Sequence, residues 1–216
     1  VSLANQQIVL AHAERAVFQQ RQWIENTQAE GDRMKSLVED LLFLAKSDDA
    51  VGKETLSDVN FSDVAQGSIL SFASLAFESG ITLSDSIQPG IVLPGSESKL
   101  RRLCGILLDN ALKYANAGGK VDLELRAEAN CALMSVHNSG DPIPEAELSH
   151  LFERFYRVDR ARSAGGYGLG LSIAQSIVKA HGGKISVTSS AGAGTTFLVN
   201  LPLRASNKRT GRKEPV

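Results

Sequence analysis

No stretch of this sequence approaches the ~18 consecutive apolar residues that a membrane-crossing helix needs. No signal-peptide pattern opens it. Neither sign of charge dominates: 23 Lys and Arg stand against 24 Asp and Glu, a net charge of −1. That balance gives no reason to expect nucleic acid or an anionic membrane surface as a partner. Cysteine is scarce. Cys104 and Cys131 sit in apolar contexts and read as reduced core residues of a cytosolic domain, not as a disulfide frame. No Cys/His spacing suits zinc. His12, His137, His150 and His181 have no adjacent Ser/Asp or Cys partner that suggests a triad, so each is read as structural or surface. The pattern GxxxxGK[ST] is missing, which argues against a P-loop protein. Gly166-Tyr167-Gly168 lacks the further glycine of a dinucleotide fingerprint and does not follow a strand. There are no internal repeats. The chain opens on Val1 and not on Met, so it is expected to be a piece of a longer protein.

What is present suits a soluble globular protein. The 216 residues are 43% hydrophobic and 22% charged, enough for one full domain and a smaller piece. Residues 1–48 contain no proline, and their only glycine is Gly31. Ile24, Met34, Leu37, Val38, Leu41, Leu42, Leu44 and Ala45 recur at helical spacing, and 34, 37, 41 and 44 approach a coiled-coil seam. The pattern predicts two helices, about 1–15 and 18–47. Such a hairpin buries too little to stand alone and is expected to pair with a second copy. Residues 49–54 read as a linker, 55–203 as an α+β domain, and 204–216 as a disordered basic tail.

Within 55–203 the expected strands begin at Leu56, Ile81, Ile91, Lys120, Cys131, Lys184 and Thr195. Helices are expected over 61–77, over 97–115 with Ser96 as N-cap, over 145–156 and over 169–181. The resulting fold class is α+β: a sheet covered on one face by about three helices.

Four groups of residues could carry chemistry. Asn110, Lys113 and Tyr114 share one helical face. An amide oxygen can ligate a hard cation, an ammonium can meet a phosphate and a ring can stack on a base. A solvated helix edge has the same composition, so these three alone do not decide. Asn138 ends a strand in the turn Asn138-Ser139-Gly140-Asp141-Pro142-Ile143-Pro144, and its amide complements an adenine edge. Phe152-Glu153-Arg154-Phe155-Tyr156-Arg157 precedes a polar loop, 158–167, that suits a lid over phosphates. Gly166-Tyr167-Gly168-Leu169-Gly170-Leu171 runs straight into a helix, and a helix N-terminus behind glycines is an anion site.

Taken in order, these residues resemble the boxes of sensor histidine kinases. Asp109–Tyr114 is similar to the N box, Asn138–Pro144 to the G1 box, Phe152–Arg157 to the F box, Gly166–Leu171 to the G2 box and Gly192–Phe197 to the G3 box. Arg33–Leu42 resembles the second helix of the dimerisation domain in that family. The resemblance implies a Bergerat-type ATP-binding fold behind a hairpin that forms a homodimeric four-helix bundle. It implies transfer of the ATP γ-phosphate to a histidine, then relay to an aspartate of a response regulator. The implied cofactors are ATP and Mg²⁺. Asn110 would ligate Mg²⁺, Lys113 and Arg157 would contact phosphate, Tyr114 would stack on adenine and Asn138 would read it. Gly140, Ile143, Phe155, Tyr167, Gly168, Leu169, Gly170, Leu171 and Thr195 would complete the site. The implied location is the cytoplasmic portion of a membrane protein, whose membrane segments are not in this chain.

Several departures from the family pattern stand out. Ile106 replaces a second Asn four residues before Asn110, which would remove a Mg²⁺ or phosphate contact or leave it to water. Asn138 replaces the G1 Asp, weakening a hydrogen bond by about 1 kcal/mol. Pro142 replaces the second G1 glycine. No His-Glu-Leu-Arg/Lys-Thr-Pro acceptor run occurs, and His12-Ala13-Glu14-Arg15 does not fit it. The expectation is a chain that begins just after that motif and binds ATP without phosphorylating itself. The alternatives are an ATP-binding regulatory module or a serine kinase of the same superfamily. Chaperone and mismatch-repair ATPases rank behind them, because they lack the F box and the hairpin.

Overall fold

The computed structural model describes residues 17–49, 57–158 and 167–203. The expected helix at about 1–15, most of the linker and the tail 204–216 lie outside them. Helix α1 (Val17–Asp49) runs 33 residues without a break. It has two apolar faces side by side, not one seam. Leu37, Phe43 and Leu44 pack against the core, and Leu44 is only 3% exposed. Met34, Val38, Leu41 and Leu42 lie about 100° further round and stay exposed. The expected 34/37/41/44 seam is therefore divided between the two faces.

The α+β unit begins with strand β1 (Ser57–Asn60), paired antiparallel with β3 (Val92–Gly95). Helix α2 (Phe61–Glu78) starts directly after β1, and Asn60 caps it by accepting from the Asp63 N–H at 3.4 Å. The main sheet has five strands in the order β2 (Thr82–Ile87), β4 (Lys120–Glu128), β5 (Cys131–Asn138), β7 (Gly194–Pro202), β6 (Lys184–Ser190). Only β2 and β4 pair in parallel; the other neighbours are antiparallel.

Alternation along the strands decides which face is covered. Val121, Leu123 and Leu125 of β4, Ala132, Met134 and Val136 of β5, and Phe197, Val199 and Leu201 of β7 are all buried. Between them Glu124 and Arg126 stand in solvent. The buried face meets helix α3 (Glu97–Tyr114) and helix α5 (Gly170–Ala180). Leu100, Leu103, Cys104, Leu107 and Ala111 form the inward stripe of α3, and each such side chain contributes about 1.5–3 kcal/mol by leaving water. The expected α+β architecture, a mixed sheet with helices on one face, is what the chain adopts.

Three local expectations are corrected. Residues 145–156 do not form one helix: α4 covers only Glu145–Leu148. Beyond it the N–H groups of His150, Glu153 and Tyr156 each bond the carbonyl three residues back, and Phe155 turns to a φ of 65°. This path seats Leu151 in the core and sets Phe152 edge-on to Phe197 at 6.4 Å. A straight helix would point the two residues in directions 100° apart and carry Phe155 away from its partner. Ser96 stands at the cap position of α3, but its hydroxyl makes no capping bond. Its N–H donates to Nε2 of the buried His181 at 3.1 Å, which ties the start of α3 to the residue after α5. Cys104 is fully buried as expected, whereas Cys131 is only half-buried at the hairpin end of β5.

Candidate functional site

The C-terminal end of α3, the end of β5, the turns after α4 and the start of α5 meet at one side of the unit. Short backbone approaches tie them pairwise. Gly140 lies so close to the N-box helix that a Cβ there would collide with the Tyr114 carbonyl oxygen. The Asn116 N–H just beyond α3 donates to the Ser139 carbonyl at 3.0 Å, and Ser139 Oγ accepts from the Lys120 N–H at 2.7 Å. Ser139 thus fixes the exit of α3, the start of β4 and the end of β5 together. Ile106 is half-buried, one turn before Asn110, with Cγ2 3.4 Å from where a Gly170 side chain would begin. The Ile106 side chain therefore packs hydrocarbon under the first turn of α5. Phe155 N–H donates to the Gly168 carbonyl at 2.9 Å.

At the end of β5, Asn138 is 2% exposed. Its side chain makes one long bond, Nδ2 to the Ser139 carbonyl at 3.5 Å. No described residue donates to the amide oxygen, which is left open to a ligand. Thr195, 4% exposed, is the register partner of Asn138 on β7. Its hydroxyl lies 2.8 Å from Ser189 Oγ, and the same Oγ accepts the Ile143 N–H at 2.9 Å.

At the start of α5, the first turn has no side-chain cap. Leu169 occupies the cap position with an apolar, buried side chain, and the Ser172 hydroxyl points back to the Leu169 carbonyl at 2.8 Å. The leading N–H groups of an 11-residue helix therefore point outward with the positive end of its dipole. Lys113 is exposed, its Nζ 5.5 Å from the Tyr114 ring centre, and Tyr114 is half-exposed. Partial burial lowers the Lys113 pKa, the Arg157 guanidinium lowers it further, and Asp109 opposes both. Asn110 is half-buried on the same helix. Phe155 is 58% exposed and Tyr167 is also exposed, the two flanking the undescribed residues 159–166. Gly168 (φ 72°) is fixed by shape: a Cβ there would lie 2.7 Å from the Tyr156 carbonyl oxygen.

A family model for histidine kinase-, DNA gyrase B- and HSP90-like ATPases matches residues 95–205, from the start of α3 past the end of β7. The chain belongs to this ATPase family. Within it the similarity runs to sensor histidine kinases. RppB of Synechocystis is 37% identical over 183 residues, which cover 83% of this chain and 40% of that protein. CusS of Escherichia coli is 37% identical over 175 residues, covering 79% of this chain and 35% of that protein. The chain spans about two-fifths of the length of the curated relatives it matches. Among solved structures, the mycobacterial sensor histidine kinase MprB aligns over 68% of this chain and 97% of its own, with 31% identity and a TM-score of 0.62. ShkA, solved at full length with AMPPNP, aligns over 88% of this chain and 40% of its own, at 26% identity and a TM-score of 0.74. The complex of histidine kinase ThkA with the response regulator TrrA shares the fold at 19% identity and a TM-score of 0.71, over 92% of this chain and 56% of that one. The sheet and helices of this ATPase unit are thus those of a Bergerat-type catalytic region.

Two residues that matter to this geometry escaped the motif reading. Ser139 lies inside the G1 turn but looks like an ordinary turn serine. Ser189 lies outside every box, and only its register opposite Thr195 sets it apart.

Proposed function

We propose that the chain is the ATP-binding catalytic part of a sensor histidine kinase, which transfers the ATP γ-phosphate to a histidine for relay to a response-regulator aspartate. One observation carries this reading: the boxes are joined in pairs, N to G1 at Gly140, the N-box helix to G2 at Ile106, F to G2 at Phe155 and G1 to G3 at Asn138 and Thr195. A nucleotide laid across them would have its base at Asn138 and Thr195 and its phosphates at the α5 N-terminus.

The roles follow from the side chains. Asn138 offers its amide oxygen to the amino group of the base, and Tyr114 offers a ring face. The Gly170, Leu171 and Ser172 N–H groups hold phosphate oxygens, and Lys113 and Arg157 add positive charge beside them. Asn110 supplies an amide oxygen of the kind a hard cation takes; Mg²⁺ held there would neutralise charge on the β- and γ-phosphates. Transfer of this kind relies on positioning and charge, and the site has no group that must act as a strong base.

The exposed stripe of α1, with Ile24, Met34, Val38, Leu41 and Leu42, fits burial against a second copy in a homodimeric bundle. The receiver domain of a response regulator is the proposed phosphate recipient. The proposed place is the cytoplasmic side of a membrane protein. The residue assignments of the site and the division at 48, 54 and 203 belong to the same proposal. To test it, the unit is given γ-labelled ATP and Mg²⁺ within a polypeptide that supplies an acceptor histidine on the hairpin. Acid-labile, base-stable label is expected. Acid-stable label favours a serine kinase, and no label contradicts transfer.

A further inference from the structure

The polar row at the end of the sheet does not stop at Thr195. Register aligns Val121 of β4, Asn138 of β5, Thr195 of β7 and Ser189 of β6 across four strands. Three of the four are polar, and Ser189 is the outermost. Its hydroxyl touches three groups: the Ile143 N–H at 2.9 Å, Thr195 Oγ1 at 2.8 Å and the Gly194 carbonyl at 3.4 Å.

Counting protons orders these contacts. A serine hydroxyl has one proton and two lone pairs. The Ile143 N–H can only donate, so it occupies one lone pair. The Gly194 carbonyl can only accept, so all three contacts are made when the Ser189 proton goes there and the second lone pair takes the Thr195 proton. The threonine's own proton is then spent on Ser189, which holds its oxygen in one orientation in the same row as Asn138.

The Ile143 bond matters for a separate reason. Pro142 and Pro144 carry no N–H, so Ile143 has the only backbone donor in the segment 142–144. That donor is spent on Ser189. One hydroxyl on an edge strand therefore pins a proline-stiffened turn and orients a buried threonine.

We propose that Ser189 is a positioning residue for the base-binding end of the site: it holds the Ile143 backbone and sets the direction of the Thr195 proton. The inference rests on the nucleotide reading above. It concerns the base and not the phosphates, since the α5 N-terminus is built from other elements.

The test uses the whole chain with Ser189→Ala, Ser189→Cys and Ser189→Thr, titrated with Mg-ATP, ADP and inorganic tripolyphosphate. Loss of one buried hydrogen bond corresponds to about a threefold to tenfold rise in Kd. That rise is expected for ATP and ADP in Ser189→Ala and Ser189→Cys, with tripolyphosphate unchanged. Ser189→Thr, which keeps the hydroxyl, is expected to bind ATP within about twofold of wild type. The cysteine variant keeps nearly the same volume, so it carries the test if the alanine variant does not fold. Unchanged ATP affinity in both hydroxyl-deleted variants overturns the proposal. So does an equal loss for ATP and tripolyphosphate, which would mean general loosening. A wild-type chain that binds tripolyphosphate but no ATP or ADP removes the nucleotide reading itself.

Discussion

The N–H of Phe155 donates to the carbonyl of Gly168 at 2.9 Å, and both residues have positive φ, 65° and 72°. This bond closes the neck of the segment 156–167, which joins the F box to the G2 box. A side chain at 168 would meet the Tyr156 carbonyl oxygen and the Phe155 carbonyl carbon at 2.7 and 2.8 Å. Gly168→Ala is expected to cost about 1–2 kcal/mol in left-handed strain alone, and to open the neck by pushing on that backbone. Thermal unfolding and ATP titration should both report the loss. A variant as stable and as tight as wild type would show that the neck does not position the G2 loop.

Lys113 sets a pH dependence. Its pKa lies below the ordinary 10.5, first through burial and then through Arg157. A phosphate beside it would raise the value again, so ATP binding takes up a proton where the free lysine has begun to lose its own. Affinity should be complete below the free-state pKa and should fall as pH rises through it. Titration of Mg-ATP from pH 7 to 10 checks this, with Lys113→Met as the control that flattens the curve. Affinity that strengthens with pH contradicts the assigned role.

The two cysteines should differ in reactivity. Complete burial pushes the Cys104 thiol up from 9.0 to about 12, with desolvation outweighing the Ser68 hydrogen bond and the Arg101 charge. Cys131 is half-buried at the start of β5. Iodoacetamide at pH 8 should label Cys131 in the folded chain and leave Cys104 intact, because the thiolate is the nucleophile. Peptide mapping reads the sites. Equal labelling would mean that the core opens on the timescale of the reaction.

Much of this fold is legible without coordinates, and the gaps have physical reasons. The α3 stripe from Leu100 to Ala111 repeats at helical period, so its extent and buried face follow directly. Residues 145–156 also look helical, but the path is decided by Gly168, far along the chain, which no local pattern contains. The faces of α1 fail to separate for a similar reason: periodicity identifies apolar residues, not what each will meet. Asp40 is one residue that gains meaning. No sequence pattern marks it, yet it pairs with Arg102 of α3, whose guanidinium also sits 4.5 Å over the Phe43 ring. The candidate site could be proposed from sequence where its chemistry lies in compact motifs, at Asn110, Asn138 and Gly168. It was not legible at Ser189, because a polar residue on an alternating strand gains its role from strand register.

The Asp40–Arg102 pair gives a stability prediction. The pair is partly exposed, so the ion pair and the ring contact together are worth on the order of 1 kcal/mol. A double-mutant cycle with Asp40→Ala and Arg102→Ala, read by urea unfolding, should give a coupling energy of about 0.5–1 kcal/mol. Strict additivity would mean that α1 is not held to α3 by this contact.

The central claim is that one nucleotide lies between Asn138 and the α5 N-terminus with its metal on Asn110. Its most direct test is equilibrium binding of Mg-ATP to wild type and to Asn110→Ala, Asn138→Ala and a distant surface control such as Glu124→Ala. Saturable binding at one nucleotide per chain is expected for wild type and control, with at least about a tenfold loss at each asparagine, since a bond to a charged or buried group is worth about 1.5–3 kcal/mol. The Asn110 loss should disappear when Mg²⁺ is withheld from both proteins. Affinity unchanged by both asparagine substitutions would contradict the account.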